Sequence, residues 1–379
     1  VLAWLRERTD PMVDVVTALA RAESPTLDRA AQAAPFALLA DALTGVGYEV
    51  RRIPARQVGD HLYARPAARP RGAPYQLVLG HMDTVWPVGT LATMPVVRRG
   101  DELFGPGVAD MKAGLVQVVF ALRALAAHGL EPQVTPVVLM TTDEEVGSRD
   151  SKPLILRLAR GAVRAFVLES AFGTRGALKT ARKGTGAYRV TVRGRAAHAG
   201  VAPEEGLSAI LELSHQIQRL FALNDADRGI TVNVGTIDGG LRPNVIAPEA
   251  VAVVDVRVPT RADGEEVDAV IRGLQPVGTG LRIEVEGGLG RPPMEATPGN
   301  LALFATAARL GTALGLELES VMVGGASDGN YTSLHTPTLD GLGPVGEGAH
   351  AADERVVVPR LPERAALLAL LLLSPVETQ

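Results

Sequence analysis

The chain has 379 residues, with 38 Lys and Arg against 42 Asp and Glu, seven His and no Cys. Without Cys there is no disulfide, thiolate zinc site, Cys-ligated iron–sulfur cluster or cysteine nucleophile, so a transition-metal site must be built from His and carboxylates. The net charge of −4 offers no basic footprint for a nucleic acid partner, and the length favours two domains over one.

The opening VLAWLRERTDPMVDVV carries acids and a proline and does not read as a signal peptide; it lacks an initial Met, which leaves room for a removed leader. Residues 76–79 (QLVL) form a short apolar run ending at Gly80, strand-like in its Leu and Val content. Residues 113–127 (AGLVQVVFALRALAA) have a helical period and stop at His128–Gly129, a C-cap signal. Two more buried-strand runs come at 134–140 and 165–168. Strand, helix and strand in this alternation predict an α/β fold around a parallel sheet.

The texture changes after Lys183. Residues 187–192, 230–237 and 250–258 alternate, 204–220 and 265–274 read as helices, and 281–286 as a last strand. That order, β-α-β-β-α-β, is the split pattern of a small ferredoxin-like module. Glycine- and proline-rich stretches bracket it at 182–186 and 287–293, and the αβ pattern then resumes with 301–314, 316–323 and a final helix. The expectation is one catalytic domain in two pieces, 1–182 and 292–379, with the module 183–291 inserted between them. No apolar run reaches the roughly 20 residues that span a bilayer. The richest, AALLALLLL at 365–373, reads as a buried C-terminal helix. A soluble protein with no membrane partner is expected, and cytoplasm and periplasm both remain open.

His, Asp and Glu positions gather directly after the strand-like runs. His81 and Asp83 follow QLVLG, Glu144 and Glu145 follow VVLMTTD, and Glu169 follows AFVL. Asp110 precedes the 113–127 helix, and His350 lies in the glycine-rich GEGAHAADE. In open α/β sheets the carboxyl ends of the strands form the ligand crevice, so these side chains can converge. Two His and three carboxylates there are what a two-metal hydrolytic site without Cys requires.

The strings GHMDTV (80–85), GPGVADMKAG (105–114) and TTDEEVGS (141–148) resemble the M20 metallopeptidase family, and the likeness runs over nearly the whole chain. Within it, the similarity is greatest to the glutamate carboxypeptidase, or carboxypeptidase G, type. The resemblance implies a zinc-exopeptidase domain with an inserted lid and dimerisation domain. It also implies two zinc ions, for which Co2+ or Mn2+ could substitute. His81 and Glu169 would hold one, Glu145 and His350 the other, and Asp110 would bridge them. Glu144 would be the general base on the two-metal-activated water, and Asp83 would orient His81. Glu at 169, where several aminopeptidase relatives have Asp, looks more like carboxypeptidases and deacylases.

From the inserted module, the resemblance offers His198 in RAAHAG to stabilise the oxyanion; its other reading is a loop cap. Asn244 and Arg257 match residues that meet the substrate's free carboxylate, although Arg257 also reads as a plain strand residue. Arg291 is a second candidate for that carboxylate. In GGASDGNY, Gly325 and Ser327 resemble the substrate-pocket loop, and Ser327 with Asp328 either lines it or caps the next helix. The basic cluster Lys179, Arg182 and Lys183 either selects an acidic side chain or decorates a strand turn. His61, His128, His215 and His335 are assigned to loops and helix faces. The implied activity is hydrolysis of the amide before a free C-terminal amino acid, glutamate first, in a small peptide or N-acyl amino acid. An N-acyl-amino-acid deacylase of the acetylornithine deacetylase/desuccinylase kind would share every ligand. A non-catalytic binding protein that keeps the fold is a remote third reading. A homodimer through the inserted domain is implied by resemblance.

Overall fold

In the computed structural model, which describes residues 1–70 and 72–376, the run at 76–79 lies inside the strand Tyr75–His81. Its residues from Gln76 on are all buried, as expected of a strand covered on both faces. It pairs in parallel with Thr135–Thr141 on one side and Ala162–Val167 on the other, and Thr338–Leu339 extends the parallel set. An antiparallel hairpin, Tyr48–Ile53 and His61–Pro66, completes a six-stranded, mainly parallel sheet. A smaller four-stranded sheet is built from Val97–Arg99, Glu102–Phe104, Gly346–Glu347 and Arg355–Val357.

The helix Ala113–Ala127 is buried without a break from Ala113 to Leu122. It is apolar nearly all round, so it cannot lie on a surface; it shares one core with the C-terminal helix Arg360–Leu373. That second helix buries Leu367, Leu368, Leu371 and Leu372. It also buries Arg364, whose guanidinium donates to the carbonyls of Gly176, Gly341 and Gly343. A buried charge needs such partners, and here they pin the glycine-rich segment beyond Leu339.

The chain divides into two compact units. One contains Val1–Thr180, Ala296–Met322 and Ser327–Gln379; the other contains Ala181–Glu295 and Val323–Ala326. The short return at Val323–Ala326 is tied to the second unit, where Lys183 N donates to Val323 O at 2.9 Å and Arg182 Nη1 to Gly325 O at 3.0 Å.

The inserted unit has the order β-α-β-β-α-β. Strands Gly184–Arg193, Thr231–Gly239, Glu249–Val258 and Arg282–Leu289 form one antiparallel sheet with the first and third strands central. Helices Ala209–Phe221 and Arg261–Arg272 cover it, packing Leu213, Leu220, Val267 and Ile271 on Tyr188, Val190, Val254 and Val256. Several boundaries differ from the sequence expectation, two of them for a clear local reason. The 204–220 helix begins at Ala209, because Ser208 is extended and its Oγ accepts the Leu211 N–H at 3.2 Å. Gly287–Leu289, expected as linker, belong to the last strand; at φ +91° and pressed against Ala187 O, position 287 has no room for a Cβ. Among the described residues no helix is long and apolar enough to cross a membrane.

Candidate active site

The parallel strands deliver the acidic and histidine positions to one edge of the sheet. His81 ends its strand, Glu144 and Glu145 come just after Thr141, and Glu169 lies two residues after Val167. Asp110 arrives differently. At φ −118°, ψ 93° it is outside the helical range, and the helix only begins at Ala113. Gly107, at φ +72°, leads into it; a Cβ there would meet Thr84 Cγ2 at 2.6 Å. The Asp110–Met111 peptide is cis. At Gly114, the helix start lies so close to Leu168 O that a side chain is excluded. His350 holds φ +63°, a conformation few residues other than glycine adopt.

Asp110 lies between two histidines. Its Oδ1 is 3.1 Å from His81 Nε2, and its Oδ2 is 3.3 Å from His350 Nε2. His81 Nε2 is also 3.6 Å from Glu169 Oε1, and His350 Nε2 is 3.1 Å from Glu145 Oε2. The groups His81–Asp110–Glu169 and Asp110–Glu145–His350 each offer ligand atoms within 4.8 Å of one another. Ligands about 2.0–2.2 Å from a tetrahedral zinc stand roughly 3.4 Å apart, close to the spacings found here. Glu145 Oε1 is buried without a hydrogen-bond partner, an atom that a cation would satisfy. The donor set, imidazole and carboxylate without thiolate, suits a hydrolytic metal pair, so these residues fit two divalent ions.

The electrostatics arise from packing acids beside histidines. Burial would raise the Asp110 carboxyl, but its contacts with His350 and His81 hold it below its ordinary value. Contacts with Asp110 and then Glu145 push His350 up to about 10. Burial would lower His81, yet Asp110, Asp83 and Glu169 raise it well above 6.5. Glu145 is pushed up, chiefly by burial. The neighbouring carboxylates thus favour the protonated rings, and metal ions would compete with protons for the same nitrogens.

Asp83 is fully buried and does more than face His81. Its Oδ1 is 3.5 Å from His81 Nδ1, while its backbone O is nearer, at 3.0 Å. The carboxylate also accepts Thr26 Oγ1 at 2.7 Å and the backbone N–H groups of Glu144 at 3.3 Å and Glu145 at 3.2 Å.

Two groups that the sequence pattern does not reveal brace the Asp110 turn. Lys112 is buried, with Nζ donating to Leu19 O at 2.9 Å and Ala22 O at 3.0 Å, the free carbonyls at a helix end; burial pulls its pKa down to about 7. Glu354 is completely buried and accepts N–H groups from the same turn. Its only sequence signal is an acid placed four residues after His350 in a loop otherwise rich in Gly and Ala.

The remaining candidates fall in several settings. In the inserted unit His198 is exposed, and its Nδ1 accepts the Gly200 N–H at 3.1 Å, as the loop-cap reading requires. That contact puts the proton of the neutral ring on Nε2. Asn244 is exposed, its backbone O accepting the Ala199 N–H. Arg257 is engaged by Asp255 two residues away on the same strand, through Nε at 2.9 Å and Nη2 at 3.2 Å. Arg291 is buried, with its N–H on Thr185 Oγ1, and Gly325 is exposed. Ser327 is fully buried; its Oγ donates to Asp340 Oδ2 at 2.6 Å and accepts the Gly329 N–H at 3.0 Å. Lys179 and Arg182 are buried strand residues and do not decorate a turn. His61, expected in a loop or on a helix face, instead sits buried in a strand with Nδ1 3.0 Å from Thr142 Oγ1.

Residues 77–374 match the sequence pattern of Peptidase family M20/M25/M40. Carboxypeptidase G2 of Pseudomonas sp. (strain RS-16) is 30% identical over 376 residues, covering 96% of this chain and 89% of that protein. A succinyl-diaminopimelate desuccinylase of Paracidovorax citrulli is 28% identical over 343 residues, covering 85% and 87%. In fold, the chain is similar to the aminopeptidase PepT of Bacillus cereus, with a TM-score of 0.80 at 24% identity over 97% of this chain and 98% of that one. The chain belongs to Peptidase family M20/M25/M40 and is a hydrolase of that family.

Proposed function

We propose that the protein is a zinc-dependent exopeptidase of the glutamate carboxypeptidase type, cleaving the amide bond before a free C-terminal amino acid, with glutamate the preferred leaving residue. The observation that carries this reading is Asp110 facing both His81 and His350, with Glu169 and Glu145 completing the two donor groups. The similarity to carboxypeptidase G2 over almost the whole chain supports it. When bound, two zinc ions would acidify the attacking water and polarise the scissile carbonyl.

The chain's own groups divide the remaining work. Glu144, in a different role from its neighbour Glu145, takes the proton of the attacking water and returns it to the leaving nitrogen. Asp83 keeps His81 and the backbone of both acids in place. His198, with its proton on Nε2, donates to the developing oxyanion. Arg257 and Asn244, with Arg291, receive the free carboxylate. Arg257 already grips one carboxylate, that of Asp255, and a substrate carboxylate would compete for the same fork. The inserted unit would also pair with a second copy: its edge strand Thr231–Gly239 leaves Ile237 exposed, and Leu241, Ile210 and Leu211 are exposed as well. A strictly monomeric species in sedimentation would remove that pairing.

A second reading, an N-acyl-amino-acid deacylase, is favoured by the desuccinylase likeness. The experiment that decides is a substrate panel with zinc present, setting N-benzoyl- and folyl-glutamate against N-acetyl and N-succinyl amino acids. Fastest turnover on the acyl-glutamates is expected; fastest turnover on the N-acetyl or N-succinyl compounds would move the assignment to the deacylase. No turnover of any amide would favour a binding protein.

A further inference from the structure

Glu354 gathers four N–H donors on one buried carboxylate. Oε2 accepts from Gly107 N and Trp86 Nε1, both at 2.9 Å, and Oε1 accepts from Ala109 N at 2.9 Å and Asp110 N at 3.0 Å. The Gly105 N–H adds a bond to the Glu354 backbone O at 3.1 Å. Only an ionised carboxylate has four acceptor sites, two on each oxygen, so all of its capacity is used here.

Its place in the chain gives this a direction. The strands Glu102–Phe104 and Arg355–Val357 pair antiparallel, with Arg355 opposite Phe104. One runs into the turn that carries Asp110, and the other is entered from the loop that carries His350. Glu354 stands where both loops leave the ladder, and its side chain crosses from one to the other. We propose that Glu354 is a positioning residue for the metal centre: it fixes the Asp110 backbone relative to the His350 loop, so that each Asp110 oxygen meets its own histidine. The inference rests on reading Asp110 as the shared ligand.

Glu354→Gln tests it, because the amide has the same shape but turns one acceptor into a donor that faces two N–H groups. The chelator-treated wild type and variant are compared by zinc titration calorimetry and by amide hydrogen exchange of the 105–112 segment, and the zinc-loaded proteins by kcat and KM. In the variant we expect faster exchange at 107–110, zinc affinity about 10- to 100-fold weaker, and kcat lower by a similar factor with KM nearly unchanged. Should the variant not fold, Glu354→Asp, which keeps the charge but withdraws it by one methylene, carries the same comparison with smaller losses expected. Wild-type zinc affinity in the folded variant, whatever its melting temperature, overturns the role of Glu354 alone. A wild-type chain that takes up no zinc overturns the metal-centre reading, and the role of Glu354 with it.

Discussion

Asp83 accepts the backbone N–H of Glu145 at 3.2 Å, two residues beyond His81 in sequence and across the sheet edge in space. Through this bond one buried carboxylate sets a histidine and an acidic turn in common register. Asp83→Asn replaces one of its oxygens with a donor and loses at least part of the set formed by Thr26, Glu144, Glu145 and His81. We expect zinc affinity or kcat to fall about 10- to 100-fold, measured by calorimetry and steady-state kinetics. Wild-type values for both would show that the bonds are dispensable.

Glu144 and Glu145 are adjacent, yet they should respond differently to loss of charge. Glu144→Gln should keep the zinc stoichiometry of the wild type while kcat falls by about 100- to 10,000-fold, the usual worth of a general base. Metal analysis beside single-turnover kinetics checks both halves. A variant that loses metal instead would make Glu144 a ligand.

Chelation should abolish turnover, and zinc should restore it. Four site carboxylates, Asp83, Asp110, Glu145 and Glu169, crowd around His81 and His350. Their mutual repulsion is relieved by divalent cations, so zinc should also raise the melting temperature. At a thousand times its Kd, a ligand of the folded state alone adds about 4.1 kcal/mol per site. Full activity in excess chelator would sink the two-metal reading.

Lys112 gives stability a pH dependence of definite sign. Its pKa falls from 10.5 unfolded to about 7 in the folded chain, because burial penalises the ammonium. Between those values the unfolded chain binds the proton that the folded chain has released, so this contribution to stability rises with pH through that window. Below about 7 the penalty is complete, and above 10.5 it is gone. Lys112→Met has no proton to exchange there. The urea midpoint of the wild type should therefore gain on that of the variant as pH climbs, in chelator-treated protein. A difference that stays flat with pH would mean that the buried lysine keeps its proton.

Much of this protein was legible in its sequence, for a physical reason. The strands of a parallel sheet are covered on both faces and appear as apolar runs, and the residues just past the end of each run must lie at the same edge. His81, Glu144, Glu145 and Glu169 could be placed that way, and the alternating strands of the inserted unit could be ordered from their period of two. The largely apolar helix Ala113–Ala127 was readable to its ends, because Gly129 stops it and apolar residues dominate it. Tertiary structure decided what no local pattern encodes. Ser327 points into a buried hydrogen-bond network, and Arg257 is held by Asp255. Lys179 and Arg182, for which the sequence offers a strand turn or a selector of an acidic side chain, are buried strand residues. The four-donor grip of Glu354 joins positions 244 or more residues apart. Periodicity reports which face of an element is buried. It carries no record of which distant N–H groups a buried carboxylate will meet, because that is settled only when the two loops fold against each other.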